Sequence, residues 1–259
     1  MRSALRLLID SQIWLSRKFD TLFPAALRVD GYEDFEDDLC PGQLGRNQLV
    51  YDVGGGKNPF FDPARKAELQ ATVVGVDIDA GELARAPAGA YDRIVVTDIC
   101  TYQGVHDADV VICQTLLEHV PDVAEAVRAM ASMLKPGGRA VVFVPCRNAA
   151  FARLNLMLPE KFKRALLFAI FPSMRTFQGF RSYYNRCTPA NFLAFAANNG
   201  LRVEEQRMYY KSDYFSFFFP LYAMWRIWTL VASWTSRELV ETFAMVLLKT
   251  EPTVDKASA

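Results

Sequence analysis

The chain has 259 residues, 51% of them hydrophobic and 22% charged, with 29 lysines and arginines against 29 acids. That length suits one large α/β domain or two small ones, and the mixed composition is that of a globular protein with ample core. A formal net charge of zero removes any global electrostatic case for nucleic acid.

Five cysteines, Cys40, Cys100, Cys113, Cys146 and Cys187, are odd in number and lack C-x-x-C spacing. Neither a disulfide framework nor a metal site is indicated, and a reducing cytoplasm fits. Charge is unevenly placed. Asp30, Glu33, Asp34, Glu36, Asp37 and Asp38 crowd one stretch, which reads as a solvated face. Residues 161–203 hold seven basic residues, from Lys161 to Arg202, and no acid. That stretch reads equally as a solvated face or as a surface for an anionic partner.

Residues 1–28 interleave Leu5, Leu8, Ile9, Ile13 and Phe19 with Arg6, Asp10, Arg17 and Lys18. The charges interrupt any signal peptide or spanning segment, so an amphipathic helix packed on the domain is expected. Gly31 to Arg46 reads as a turn-rich connector. Leu49 to Val53 is then a buried strand that runs into Gly54, Gly55 and Gly56, where backbone N–H groups can approach a ligand without Cβ interference. The dinucleotide fingerprint G-x-G-x-x-G/A matches at Gly54 and Gly56 but meets Pro59 at its third position, which disfavours hydride transfer. Lys57 is followed by Asn58, not Ser or Thr, so a P-loop fails too.

Asp62 and Pro63 open a short helix to about Leu69, Thr72 to Asp77 is a second strand, Arg93 to Thr97 a third ending at Asp98, and Ala108 to Cys113 a fourth. His106 falls in the irregular loop before it. Val123, Val127, Met130 and Leu134 recur at helical spacing after Gln114 and the Leu117-Glu118-His119 run. Lys135-Pro136-Gly137-Gly138 stops that helix, and Ala140 to Pro145 is a fifth, wholly apolar strand. Thr188-Pro189 opens a helix ending at Asn199-Gly200; Leu201 to Tyr210 and residues 239–249 supply sixth and seventh strands. Alternation of strand and helix predicts a doubly wound α/β fold with helices on both faces.

Taken together, Asp52-Val-Gly-Gly-Gly56, Val-Gly-Val-Asp77, Thr-Asp98-Ile, Leu117-Glu118-His119-Val and Leu134-Lys-Pro-Gly-Gly138 resemble the class I S-adenosylmethionine-dependent methyltransferases. The resemblance is closest to the subgroup whose fourth strand ends in Leu-Glu-His-Val, and covers roughly residues 47–250. It implies a Rossmann-like, mostly parallel seven-stranded sheet whose last strand inserts antiparallel beside the sixth, with S-adenosylmethionine as cofactor. It implies that Gly54, Gly55 and Gly56 pass close to the donor's methionyl tail and ribose, that Asp52 organises the tail's ammonium group, and that Asp77, with Ile78 beside it, holds the ribose hydroxyls. Asp98 and the backbone of Ile99 would recognise adenine, with Gln114 beneath the methionyl portion. Asn58 stands where the family commonly has a third glycine, and is expected to tolerate positive φ there.

His119 is the imidazole placed at the carboxyl edge of the sheet, with Glu118 adjacent. It is a candidate base for a hydroxyl acceptor, the alternative being that it caps or packs the following helix. Cys113 and Cys146 read as small packing residues. Residues 147–187 form an aromatic- and arginine-rich insertion in which Arg147, Tyr183 and Tyr184 are candidate substrate contacts. Tyr214 to Trp234 is long and apolar enough for a membrane span, but flanking strands of one sheet argue against crossing, and Pro220 against a straight helix. Peripheral contact with a membrane is expected there, against the alternatives of internal burial or an oligomer interface. Residues 1–46 are thus an N-terminal helix and connector, 47–250 the catalytic domain and 251–259 a disordered tail.

The function expected is methyl transfer to a hydroxyl of a small-molecule or lipid-linked acceptor such as a cell-surface glycan precursor, at the inner face of the membrane. A quinone or isoprenoid acceptor is one alternative and a non-catalytic cofactor-binding scaffold another. A nucleic-acid substrate is disfavoured, since no Asn/Asp-Pro-Pro-Tyr-like base-binding motif is present.

Overall fold

The structure is a computed structural model and describes residues 4–159 and 180–251. Seven strands form one sheet in the order β3-β2-β1-β4-β5-β7-β6. They are β1 (Leu49–Val53), β2 (Thr72–Asp77), β3 (Arg93–Val96), β4 (Ala108–Gln114), β5 (Leu134–Pro145), β6 (Leu201–Tyr209) and β7 (Thr242–Lys249). The first five run parallel, and β7 inserts antiparallel between β5 and β6, as the resemblance implies. Strand order reverses between β1 and β4, so the carboxyl ends of these two flank the crevice where open α/β sheets bind ligands.

Neighbouring residues of one strand enter opposite cores. Tyr51, Val74, Val111 and Val142 join one cluster, while Val50, Val73, Ile112 and Val141 join the other. Both faces are covered, which is why these strands read as apolar runs without alternation. The helices are α1 (Ala4–Asp20), α2 (Gly31–Asp34), α3 (Pro63–Leu69), α4 (Ala80–Ala84), α5 (Val123–Met133), α6 (Ala150–Met157), α7 (Pro189–Asn198) and α8 (Phe219–Thr235). Their starts follow local chemistry: Asp62 accepts from Arg65 N, Asp122 from Ala124 N and Glu125 N, and Thr188 from Asn191 N. The α5 and α7 stripes, with Val127, Met130, Phe192 and Phe195, fill the first core.

Several expectations change. The Gly31–Arg46 connector is built from α2, a π-turn (Phe35–Leu39) and a 3-10 turn (Pro41–Gln43), and it seats Phe35, Leu39 and Cys40 in the second core. Its acids are not merely a solvated face. Asp34 and Asp38 each accept from Arg207 Nη1 at 2.7 Å, Asp34 also from the Tyr209 hydroxyl at 2.6 Å, and Asp30 pairs with Lys211 at 3.2 Å. Pro220 does not interrupt a helix: it occupies the first turn of α8, where a proline's missing N–H costs nothing. No helix among the described residues is long and apolar enough to cross a membrane.

In the 161–203 stretch, Arg186 stacks over Phe195 and Arg202 pairs with Glu204. Residues 160–179 of the insertion and 252–259 of the expected tail lie outside the described residues.

Candidate active site

The loop after β1 admits no side chains at two successive positions. Gly54 has φ +81°, and a Cβ there would lie 2.8 Å from the Leu116 side chain; at Gly55 a Cβ would lie 2.5 Å from Asp52 Oδ2. Gly56 follows at φ +50° beside Asp77 Oδ2. Positive φ is thus needed at Gly54 and Gly56 but not at Asn58, whose N–H instead donates to Gly55 O. Asn in place of glycine therefore imposes no backbone strain, a different reason from the one expected.

Asp52 is 4% exposed. Its Oδ2 accepts from Phe60 N at 2.8 Å and lies 3.4 Å from the Tyr91 hydroxyl, which also donates to Gly56 O. Burial pushes its pKa up to about 6, against the opposing hydrogen bonds from Phe60 and Tyr91. Asp77 is half-buried at the end of β2, its carboxyl raised by burial and held by Asp79 N at 2.9 Å. Gly75 makes room for this arrangement, since a Cβ there would lie 2.9 Å from the Tyr91 ring. Ile78 is 61% exposed and Ile99 buried, while Asp98 Oδ1 caps its own turn by accepting from Cys100 N.

Gln114 Nε2 donates to Glu36 Oε1 at 3.0 Å. A hollow of about 130 Å³ beside Asp52, Gly54 and Gly55 shares Tyr32, Asn58, Phe60 and Gln114 with a larger one of about 380 Å³ lined also by Glu36, Asp62 and Arg65. Asp77, Ile78, Asp98 and Ile99 stand outside both hollows. Tyr32, Glu36 and Phe60 were not singled out by sequence reasoning. The one signal for Tyr32 and Glu36 was the acid-rich connector that carries them.

These features fit an S-adenosylmethionine site. A buried carboxylate that burial makes costly to ionise gains from an ammonium beside it, and the side-chain-free loop lets backbone donors reach the ligand.

A second group lies at the end of β4, on the 3-10 turn Leu117–His119. His119 Nδ1 faces Arg181 O at 3.2 Å, so the N–H sits on Nδ1 and Nε2 is left as an acceptor 3.8 Å from Glu118 Oε1. Burial lowers the imidazole's pKa and keeps it neutral. Glu118 is 5% exposed, burial pushes its carboxyl up to about 8, and its Oε2 has no hydrogen-bond partner among the described residues. Glu118 is therefore a neutral acid near pH 7, not a resting base.

Its backbone carbonyl accepts from both Tyr183 N and Tyr184 N. Arg147 Nη1 donates to Tyr184 O at 3.0 Å, and Tyr184 is buried, whereas Tyr183 is 37% exposed beneath Arg181. Of the candidate substrate contacts, Tyr183 and Arg147 are both exposed, Arg147 with one guanidinium nitrogen engaged by backbone, while Tyr184 is not accessible. Cys113 and Cys146 are buried.

Folding favours the protonated form of Glu118, whose value rises from 4.5 to about 8. That contribution is complete below the unfolded value and is lost as pH rises to the folded one. Glu118→Gln, a neutral isostere, should therefore match wild type below about pH 4 and exceed it by up to about 5 kcal/mol above about pH 8. Calorimetric melting across that window checks this, and an equal pH dependence in both proteins would contradict it.

Residues 38–206 match a family described as a methyltransferase domain. The ubiquinone biosynthesis O-methyltransferase of Albidiferax ferrireducens is 38% identical over 109 residues, covering 39% of this chain and 41% of that protein. That of Cupriavidus pinatubonensis is 28% identical over 186 residues, covering 66% and 70%. That of Xanthomonas euvesicatoria is 34% identical over 165 residues, covering 60% and 63%. The chain thus matches less than two thirds of the length of the first and third of these relatives.

Among solved structures, an S-adenosylmethionine dependent methyltransferase from Mesorhizobium loti superposes with a TM-score of 0.51 at 17% identity, covering 82% of this chain and 99% of that one. The YcgJ protein from Bacillus subtilis gives 0.50 at 15%, covering 85% and 100%. At such identities the likeness is one of fold.

Proposed function

Since the chain belongs to the methyltransferase domain family, whose class I members take S-adenosylmethionine as methyl donor, we propose that it methylates a phenolic hydroxyl on a quinone-type acceptor with an isoprenoid tail. The observation that carries the donor half is the buried Asp52 and half-buried Asp77 bracketing a loop with no room for Cβ atoms. The acceptor half is supported by relatives named for ubiquinone biosynthesis and O-methyl transfer. A glycan precursor, the acceptor first expected, has no such support and is the second reading.

In this reading Asp52 and the Gly54–Gly56 loop hold the donor's amino-acid end. Asp77 and Ile78 hold the ribose side, Asp98 and Ile99 the adenine, and Gln114 the methionyl chain. When bound, the donor supplies an electrophilic methyl group on a sulfonium. The chain's own work is alignment, able to contribute up to about 7–11 kcal/mol in an in-line displacement. His119 Nε2, free of its own hydrogen and kept neutral by burial, receives the phenol's proton. Tyr183 contacts the acceptor.

The test is incubation of the purified chain with methyl-labelled S-adenosylmethionine and either a prenylated catechol or a polyprenyl-linked saccharide. Label on the phenol supports the proposal, label on a sugar hydroxyl replaces it with the second reading, and no transfer to either despite donor binding favours a scaffold. His119→Ala should lower turnover about 10²–10⁴-fold with donor affinity retained; unchanged turnover would remove the base.

A further inference from the structure

The polarity of α8 is inverted. Its inner stripe, Tyr222, Trp225, Arg226, Thr229 and Ala232, is buried and carries the helix's one charged residue. Its outer stripe, Met224, Ile227, Trp228, Val231 and Trp234, is apolar throughout and exposed, Trp234 by 79%. Both stripes recur at i, i+3, i+4, i+7 and i+10. A surface helix of a soluble domain turns its apolar stripe inward, so packing on the sheet does not explain the outer one.

The same holds for α1, which docks on the start of α8. Ser16 Oγ donates to Ser216 O, Gln12 Oε1 accepts from Phe219 N, and the rings of Phe19 and Phe219 meet edge to face. Away from that contact Leu7, Leu8 and Trp14 are more than half exposed, and Leu15 is 37% exposed. Single exposed apolar residues need no explanation, but two packed helices that both present them mark an interaction surface.

We propose that the outward faces of α1 and α8 form a docking surface for an anionic lipid bilayer. Three exposed indoles, Trp14, Trp228 and Trp234, are the side chains enriched where hydrocarbon meets head groups. Exposed cations accompany them: Arg17 and Lys18 on α1, Arg28 at the end of the 3-10 turn (Ala25–Leu27) that follows it, and Arg237 just past α8. Apolar rings with neighbouring cations complement a negatively charged lipid surface. A second copy of the chain meeting this face would bring the same cations together, at a cost. The buried Arg226 locks α8 in its rotation, so the helix lies along the surface and keeps its charged stripe inside. The proposal does not depend on which acceptor is methylated.

The experiment is sedimentation of the full chain with phosphatidylcholine vesicles with and without phosphatidylglycerol, alongside Trp228→Ser/Trp234→Ser and Arg17→Glu/Lys18→Glu. All four positions are exposed, and circular dichroism with donor titration verifies that fold and donor site are intact. Wild type should bind the anionic vesicles, more weakly as salt is added, with brominated lipid quenching its indole fluorescence. The tryptophan variant should lose about tenfold or more in affinity, and the charge variant should lose the preference for phosphatidylglycerol. Folded wild type left in the supernatant, or undiminished binding by the tryptophan variant, would overturn the proposal. A concentration-dependent dimer that the tryptophan substitutions dissociate, without vesicle binding, would assign the face to a second copy instead.

Discussion

Arg226→Leu is expected to cost about 3–5 kcal/mol of stability, measured as a lower urea midpoint at unchanged m. The guanidinium has no exposed surface and serves four segments. Nη1 donates to Tyr210 O at 2.9 Å and to Thr229 Oγ1 at 3.2 Å, and Nη2 to Leu27 O at 2.9 Å. Nε is 2.7 Å from Asp20 Oδ1, a charge contact without the alignment of a hydrogen bond. The group also lies 4.5 Å from the centre of the Phe23 ring. Leucine would fill much of the space but leave two buried carbonyls unpaired and Asp20, 9% exposed, with Tyr222 Oη as its remaining donor. Removing one partner of a buried pair costs far more than the intact pair contributes. Arg226→Lys should fall between, since an ammonium keeps the charge but cannot reach in three directions with a planar fork. A loss below about 1 kcal/mol for leucine would contradict this account.

Asp77→Ala is expected to weaken binding of S-adenosylmethionine by about 100-fold or more, with little change in stability. A carboxylate accepting from two ribose hydroxyls makes two charge-assisted hydrogen bonds, each contributing about 1.5–3 kcal/mol. Within the protein it accepts from Asp79 N, but the start of α4 is capped independently by Asp79, which accepts from Gly81 N and Glu82 N. An unchanged affinity in a folded variant would remove Asp77 from the donor site.

What the sequence made legible was local. Val50 to Gly56 announces a strand and a close-approach loop by residue type alone, and Asp62-Pro63 and Thr188-Pro189 announce their helices through caps a few residues long. The order of five such pieces carried the family resemblance. What it hid depends on distant partners. The acids at Asp34 and Asp38 look solvated until Arg207 is brought beside them from 173 and 169 positions away, and Glu36 meets Gln114 from 78 away. Tyr32 lines the hollow only because the connector folds over the sheet. Pro220 could be read as a helix breaker or as a first-turn residue, and only the path of the chain after Tyr210 distinguishes the two. A single arginine in the apolar run gave no sign that it faces inward, because that orientation is set by Asp20, Leu27 and Tyr210 together.

The donor site is the centre of this account, and Asp52 makes it testable through pH. Its pKa is about 6 in the free protein, and a bound ammonium would lower it, so binding must release protons and affinity must fall as pH drops through that value. The direct measurement is calorimetric titration of S-adenosylmethionine into the wild-type chain on both sides of pH 6, in buffers of different ionisation enthalpy. The account predicts tighter binding on the alkaline side, with proton release near the midpoint that Asp52→Asn abolishes. A folded wild-type chain that gives no binding at either pH, or binding with no proton exchange, would contradict it.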